Sequence, residues 1–393
     1  MSKQRIYLDN AASTAVDRDV LEVMIPYFTE EYANPSGSSS FSANARSAVE
    51  TARDQAAQLI GASAGEIIFT SGGTESDNAA VFGVARMNGY GSGPDKIRRR
   101  RIIISATEHP AVLNPCRELE KQGFEVLYAP CDEYGFTDTD HIKRNCDAGT
   151  ALVSIMSANN EIGSLQDTGT AAALAHSAGA VFHTDAVQAA GHIPIDVRKD
   201  DVDLLSISSH KLHGPKGVGA LFVRNGLKLY PNVFGGGQEK GLRSGTLNVP
   251  GIVGFGKACE IARISMDRTN ACLLELRNIF IKLLTENIPG VHINSCMEPG
   301  KVLPSILSVS FDAIEGTSLQ IELDMKGITC STGSACASSG GKPSHVLTAA
   351  GLSDERIRGS VRFSFSKYTT REELEITART VSECVKRLRE ILG

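Results

Sequence analysis

Short apolar runs alternate with stretches of helical periodicity between residues 66 and 210, and this alternation restricts the possible fold more than any other feature. The runs are Ile67-Ile68-Phe69, Ile102-Ile103-Ile104, Val126-Leu127-Tyr128, Leu152-Val153-Ser154-Ile155-Met156, Val181-Phe182-His183 and Leu204-Leu205-Ser206-Ile207. Each is close to continuous, as in strands covered on both faces. Such strands separated by helices predict an α/β fold with a mostly parallel sheet between helices. Ligands of that architecture bind beyond the carboxyl ends of the strands. Here the polar residues do cluster just after the apolar runs.

Outside that core the pattern changes. Residues 17–32 carry apolar positions at helical spacing (Val20, Leu21, Met24, Ile25, Phe28), and Ser47 to Ile60 reads as a second helix stopped by Gly61. After Gly256 a long helical stretch runs from Ala258 to about Asn287. Strand-like segments follow at Ser305 to Phe311 and Val361 to Ser364, then a final helix from Arg371 to Leu392. With 393 residues the chain is long enough for two domains. The expected division is a large domain over 15–257 and a smaller α/β domain built from 1–14 and 258–393.

The net charge of −5 gives no general attraction to nucleic acid or anionic membrane. The basic run Lys96 to Arg101 is the exception, and it reads as a solvated loop edge entering a strand. The start, Met1 to Arg5, has no apolar signal region, and no segment has the uninterrupted apolar length of a membrane span, so a soluble, cytoplasmic protein is expected. Nine cysteines are scattered without a Cys-x-x-Cys pair, which argues against a disulfide framework and a structural zinc site. No metal held by the protein alone is expected.

The strand ends carry the chemistry. Lys211 lies in Ser208-Ser209-His210-Lys211, a polar turn directly after a buried run. A lysine there needs a partner or a covalent task, and one such task is a Schiff base to pyridoxal phosphate. Gly72-Gly73-Thr74 opens a helix whose free N–H groups and dipole suit a phosphate, although a plain helix cap reads equally well. His109 follows another run and could stack on a flat cofactor or serve as acid or base. Asn159-Asn160-Glu161 ends a further strand. Asp185, after Val181 to Thr184, could keep a pyridine nitrogen protonated, and Gln188 falls on the same side of a helical turn. Each residue alone is better explained as structure. Together they are the parts of a pyridoxal-phosphate site.

On these segments the chain resembles the cysteine desulfurases of the NifS/IscS type, within the class V aminotransferase group of fold-type I pyridoxal-phosphate enzymes. The likeness covers nearly the whole chain. It is carried by Tyr7-Leu8-Asp9-Asn10-Ala11-Ala12, Asn34-Pro35-Ser36, Gly73-Thr74-Glu75-Ser76, Thr107-Glu108-His109, Asn159 to Gly163, Asp185 to Gln188, Ser208 to Lys211, Gly235 to Glu239, Arg243-Ser244-Gly245-Thr246 and Gly333-Ser334-Ala335-Cys336. The resemblance implies that Lys211 holds the cofactor, Asp185 faces the pyridine nitrogen, Gln188 the phenolic oxygen, and His109 stacks on the ring. It implies that Gly73, Thr74, Ser208 and His210 hold the phosphate, with Thr246 reaching it from the other subunit of a homodimer. Asn160 would lie on the cofactor side. Arg362 would clamp the carboxylate of L-cysteine, with Asn34 nearby, as suits a guanidinium fork.

Cys336 sits in a small, polar, Gly/Ser-rich segment, unlike the buried setting of most bystander cysteines. By resemblance its thiolate takes sulfur from the substrate, leaves alanine, and carries a persulfide to an iron–sulfur scaffold or another acceptor. With such a scaffold it could transiently ligate a cluster. The chain departs from many relatives in two places: no histidine follows Asn34-Pro35-Ser36, where the sequence reads Gly37-Ser38-Ser39-Ser40-Phe41, and Gly73 stands where an alanine is common, which should not harm a backbone phosphate contact. Cys330 reads as structural, with a disulfide to Cys336 under oxidation left open. The competing readings are another reaction on the same fold, transamination or selenocysteine cleavage, and a non-catalytic docking scaffold.

Overall fold

The computed structural model describes residues 5–89, 99–332 and 343–392. Twelve strands are present among them: β1 (Ile6–Tyr7), β2 (Ile67–Thr70), β3 (Arg101–Ser105), β4 (Glu125–Ala129), β5 (Thr150–Ser154), β6 (Val181–Asp185), β7 (Leu204–Ser208), β8 (Gly219–Val223), β9 (Val291–Ile293), β10 (Ile306–Phe311), β11 (Ile328–Thr329) and β12 (Ser360–Ser364). Seven form the main sheet in the order β2-β8-β7-β6-β5-β3-β4. All point one way except β8, which runs antiparallel to both β2 and β7. The carboxyl ends of β2, β3, β5, β6 and β7 therefore share one edge of the sheet. Strand β8 begins at a glycine and is absent from the runs read in the sequence.

Continuous apolar strands need cover on both faces, and both faces are covered. Ile103, Val153, Phe182, Leu205 and Ile207 pack with Val49, Ala52 and Ala56 of the helix Ser40–Leu59 and with Phe255 of the helix Val249–Asn287. Ile102, Ile104, Leu152 and Leu204 pack on the other face, against Val81 and Val84 of the helix Gly73–Gly89 and Val112 of the helix Pro110–Lys121. Each fully buried side chain of this size contributes about 1.5–3 kcal/mol. A separate core joins the antiparallel sheet β12-β10-β9 to Leu273, Phe280 and Leu284 of the long helix and to Leu374 and Val381 of the helix Arg371–Leu392.

The long helix begins at Val249, not after Gly256, and runs unbroken through the 257/258 position. Its glycines are there for close approach. A Cβ on Gly256 would lie 2.5 Å from Ala52 Cα, and one on Gly254 would lie 2.5 Å from Met24 Sδ. The helical spacing over 17–32 resolves into two short helices, Arg18–Met24 and Pro26–Thr29. Val20 and Met24 enter the core, whereas Leu21, Ile25 and Phe28 stay exposed. Of the basic run, Arg99 donates to Thr150 O and Ala178 O, and Arg101 pairs with Glu125 and Asp147, so these charges tie loops together. Among the described residues no helix is long and apolar enough to cross a membrane. The eight described cysteines are all free thiols.

Candidate active site

Strand β7 ends at Ser208 and the chain turns through a single 3-10 turn, Ser209–Lys211. That turn places the Lys211 ammonium against the backbone of the amino-terminal segment, where Nζ donates to Ala11 O and, at 2.9 Å, to Ala12 O. Gln188 Nε2 donates to the same Ala11 O at 2.9 Å, so one carbonyl brings Gln188 and Lys211 together. Burial pulls the Lys211 pKa down to about 8. The nearby Arg362 adds to the effect, and Asp185 and Asp9 oppose it. A free amine fraction is therefore present near neutral pH, as carbonyl capture requires.

Asp185 closes β6 and is 4% exposed. Its Oδ1 accepts from Val187 N at 2.8 Å, and burial lifts its pKa to about 6. Two further buried acids lie within electrostatic reach, Asp77 and Glu108, and burial pushes both well above the ordinary carboxylate range. A pyridinium N–H beside Asp185 would favour its anion. Two residues back on the same face of β6, His183 is fully enclosed, with Nδ1 2.8 Å from Ser154 Oγ and Nε2 3.1 Å from Ser206 Oγ. Burial lowers its pKa to about 3, so it is neutral.

The helix Gly73–Gly89 starts beside the end of β7, and its first-turn N–H groups have no acceptor within the helix. A Cβ on Gly73 would come within 2.6 Å of Val187 Cγ2 and 3.5 Å of Ser208 Cβ, so the cup is closed around a residue without a side chain. The alanine common in relatives would not fit here without moving Val187. Thr74 is exposed at this opening, and Ser208 is buried behind it. His210 Nδ1 lies 3.3 Å from Ser13 Oγ, and burial and Lys211 lower its pKa to about 4.

His109 has a role that was not evident from its sequence position: its Nδ1 accepts from Ala111 N at 3.1 Å and caps the helix Pro110–Lys121. The cap fixes the ring plane and leaves Nε2 to carry the proton. Burial, with Lys211 and His345 close by, lowers its pKa to about 4.

Arg362 lies in the middle of β12 and is 5% exposed. Its Nη1 donates to Asn160 O at 2.7 Å and its Nη2 pairs with Asp9 Oδ1 at 2.7 Å, while Nε is buried without a partner. Asp9 therefore holds the Arg362 guanidinium in place. Asn34 is exposed and accepts from Ser36 N, and no contact joins it to Arg362 among the described residues. Thr246 is exposed and forms no hydrogen bond with described residues of its own chain.

Cys336 lies outside the described residues, but both flanks of its segment are placed. On one side Ser331 exchanges backbone hydrogen bonds with Arg362, at 3.1 and 2.6 Å. On the other, Ser344 Oγ donates to Glu161 Oε2 at 2.5 Å and His345 Nε2 lies 2.9 Å from Glu108 O. Burial lifts the Glu161 pKa to about 7. Cys330 is 2% exposed with its thiol pushed up to about 12 by burial, which makes it a packing residue. Ser39, in the stretch that lacks a histidine, caps the helix Ser40–Leu59. Among the described residues no group of three or more His, Cys, Asp or Glu could hold a metal ion.

The residues present fit pyridoxal phosphate. They supply a lysine of lowered pKa, a buried acid for the ring nitrogen, a glycine-lined helix start for the phosphate and a fixed imidazole beside the lysine. The Aminotransferase class-V family model matches residues 6–376. The chain is 45% identical over 389 residues to the cysteine desulfurase IscS of Dictyoglomus turgidum, covering 99% of this chain and 96% of that protein. It superposes on a solved NifS-like protein with a TM-score of 0.91 at 39% identity, covering 98% of this chain and all of that one. A structure of SspA in complex with cysteine matches with a TM-score of 0.81 at 34% identity, over 93% of this chain and all of that one. The chain belongs to the pyridoxal-phosphate-dependent class V aminotransferase family and falls among its cysteine desulfurases.

Proposed function

We propose that this chain removes sulfur from L-cysteine, releasing L-alanine and holding the sulfur as a persulfide on Cys336 for transfer to an acceptor protein. One observation carries the reading: both flanks of the Cys336 segment attach around Arg362, the same arginine whose charge acts on Lys211. The described ends of that segment, Ser331 and Ser344, thus meet the same arginine and its neighbour Glu161.

When bound, pyridoxal phosphate supplies an electron sink for the charge released at the substrate carbon. Lys211 would hold the cofactor and, once displaced by the substrate amine, would take the Cα proton onto its free Nζ. Asp185 would stabilise a protonated ring nitrogen, Gln188 would serve the phenolic oxygen, and His109, oriented by its capping bond to Ala111, would serve the ring. The Gly73–Thr74 helix start, Ser208 and His210 would take the phosphate. Arg362 takes the substrate carboxylate on the outer N–H groups of its fork, held in place by Asp9 and Asn160 O. The Cys336 thiolate attacks the substrate sulfur, an S–S bond forms, and the C–S bond breaks with its electron pair left on carbon. Protons returned to that carbon and to Cα, matching those given up by the Cys336 thiol and by Cα, complete alanine, so atoms and electrons balance without an external oxidant. Thr246, which has no hydrogen bond to described residues of its own chain, would serve the phosphate of a second copy in a homodimer. The acceptor is an iron–sulfur scaffold or another thiol protein.

Replacing Cys336 with serine tests this reading. Sulfide release from cysteine should fall to background, while the visible absorbance of the bound cofactor is retained. Undiminished sulfide release by Cys336→Ser without added thiol would overturn it.

A further inference from the structure

The segment from Gly235 to Thr246 ends in an exposed tip, yet its base is tied down by two ion pairs. Glu239 is buried, and its carboxylate takes both Nη groups of Arg53 at 2.8 Å each and Phe69 N at 2.7 Å. Arg53 also donates to Ile67 O at 2.8 Å and lies over the Phe69 ring at 4.6 Å. The second tie is Arg243 Nε to Glu75 Oε1 at 2.9 Å, and the other Glu75 oxygen accepts from Ser71 N at 2.8 Å. Residues 69 and 71–75 are the end of β2 and the phosphate cup. Both ties therefore join the loop to the cup, one on each side of Gly72-Gly73.

This arrangement is costly. Glu239 and Lys240 are held at φ values of 47° and 57°, a left-handed conformation that ordinary residues avoid. A buried ion pair is rarely the most stabilising filling for its space, so its persistence points to placement and not to raw stability. The placed object is the tip. Gln238 Oε1 accepts from Gly245 N at 2.9 Å, which closes the loop on itself beside the exposed Thr246, and Thr246 has no hydrogen bond among the described residues.

We propose that Arg53–Glu239 and Glu75–Arg243 are positioning pairs that set the loop of one subunit for the cofactor phosphate of the other, with each subunit's own phosphate cup as the reference frame. This rests on the reading that Thr246 acts across the dimer. The effect of the pairs on the neighbouring site would run through Thr246.

Mixed dimers of full-length chains separate the possibilities. One chain keeps Lys211 and its partner carries Lys211→Ala, so the visible band reports a single site as pyridoxal phosphate is titrated in. Glu239→Gln, which preserves the shape and an acceptor for Phe69 N, is placed on either chain. On the Lys211→Ala chain it should weaken cofactor affinity at the intact site about tenfold or more, and on the Lys211 chain much less. Arg243→Gln should behave alike, as an independent check should either substitution disturb folding. Thr246→Ala in the same format is the control for the shared site. If Thr246→Ala acts in trans but Glu239→Gln and Arg243→Gln act mainly in cis, the pairs only support their own cup and the proposal fails alone. If Thr246→Ala has no trans effect, the shared-site reading fails and the proposal falls with it.

Discussion

The cofactor half and the sulfur half of this site are built in different ways. Lys211, Asp185, Ser208 and the Gly73–Thr74 start all sit within a few residues of a strand end in one sheet, so each inherits its place from a buried run just before it. The sulfur half is assembled from parts far apart in the chain. Arg362 meets Asp9 across 353 residues and Asn160 across 202, and Ser344 meets Glu161 across 183. A site on adjacent strand ends is positioned by the sheet that all its members share. A site assembled across two cores depends on each long-range contact separately, and single substitutions should expose that difference.

The largest effect should come from breaking the clamp. Arg362→Met leaves Asp9 without its cation in a partly buried setting, and about 3–4 kcal/mol of transition-state binding should be lost, read as a fall in kcat/KM of about two to three orders of magnitude. Cofactor absorbance should persist, because the strand ends that hold it are untouched. Loss of the cofactor together with the clamp would show that the two halves are not separately built.

The tether at Glu161 gives a pH signature. Its carboxyl is raised from 4.5 to about 7, so the folded chain holds a proton that the unfolded chain has lost. Stability from this group is complete below the unfolded value and declines as pH rises through about 7. Glu161→Gln removes the penalty and keeps a partner for Ser344. Between pH 4.5 and 7.5 the variant should lose about 3 kcal/mol less stability than the parent in denaturant titrations. Parallel curves would mean that Glu161 is already ionised in the folded protein.

The smallest effect belongs to the phosphate cup, where only one methyl group is at issue. Gly73→Ala should weaken cofactor affinity by about ten- to thirtyfold, about 1–2 kcal/mol of overpacking against Val187. Trimming the neighbour in Gly73→Ala/Val187→Ala should restore most of it. A double variant no better than the single one would show that the methyl blocks the phosphate itself.

The same contrast explains what was legible in the sequence. Lys211, Asp185 and Gly73 could be found because an apolar run followed by polar residues is a local signal, and the resemblance of the whole chain then joined them. Asp9 was visible only as part of a matched amino-terminal segment. Nothing local says that it faces Arg362, since that depends on how two cores pack. His109 was legible as a strand-end histidine but not as a helix cap, which depends on ring rotation. Gly256 suggested a helix start where a helix already runs, because glycine marks close packing as well as helix ends and only tertiary contact separates the two. Strand β8 was missed because it is the one strand of its sheet that runs antiparallel, outside the strand–helix alternation.

The central claim is that Lys211 and Cys336 act on one substrate from the two halves. It is tested most directly by incubating the cofactor-loaded protein with sulfur-labelled L-cysteine, trapping thiols and mapping the label by peptide. The account predicts label as a persulfide on the Cys336 peptide of the parent, and none on that peptide in Lys211→Ala. Label confined to another cysteine, or label on Cys336 that survives loss of Lys211, would contradict it.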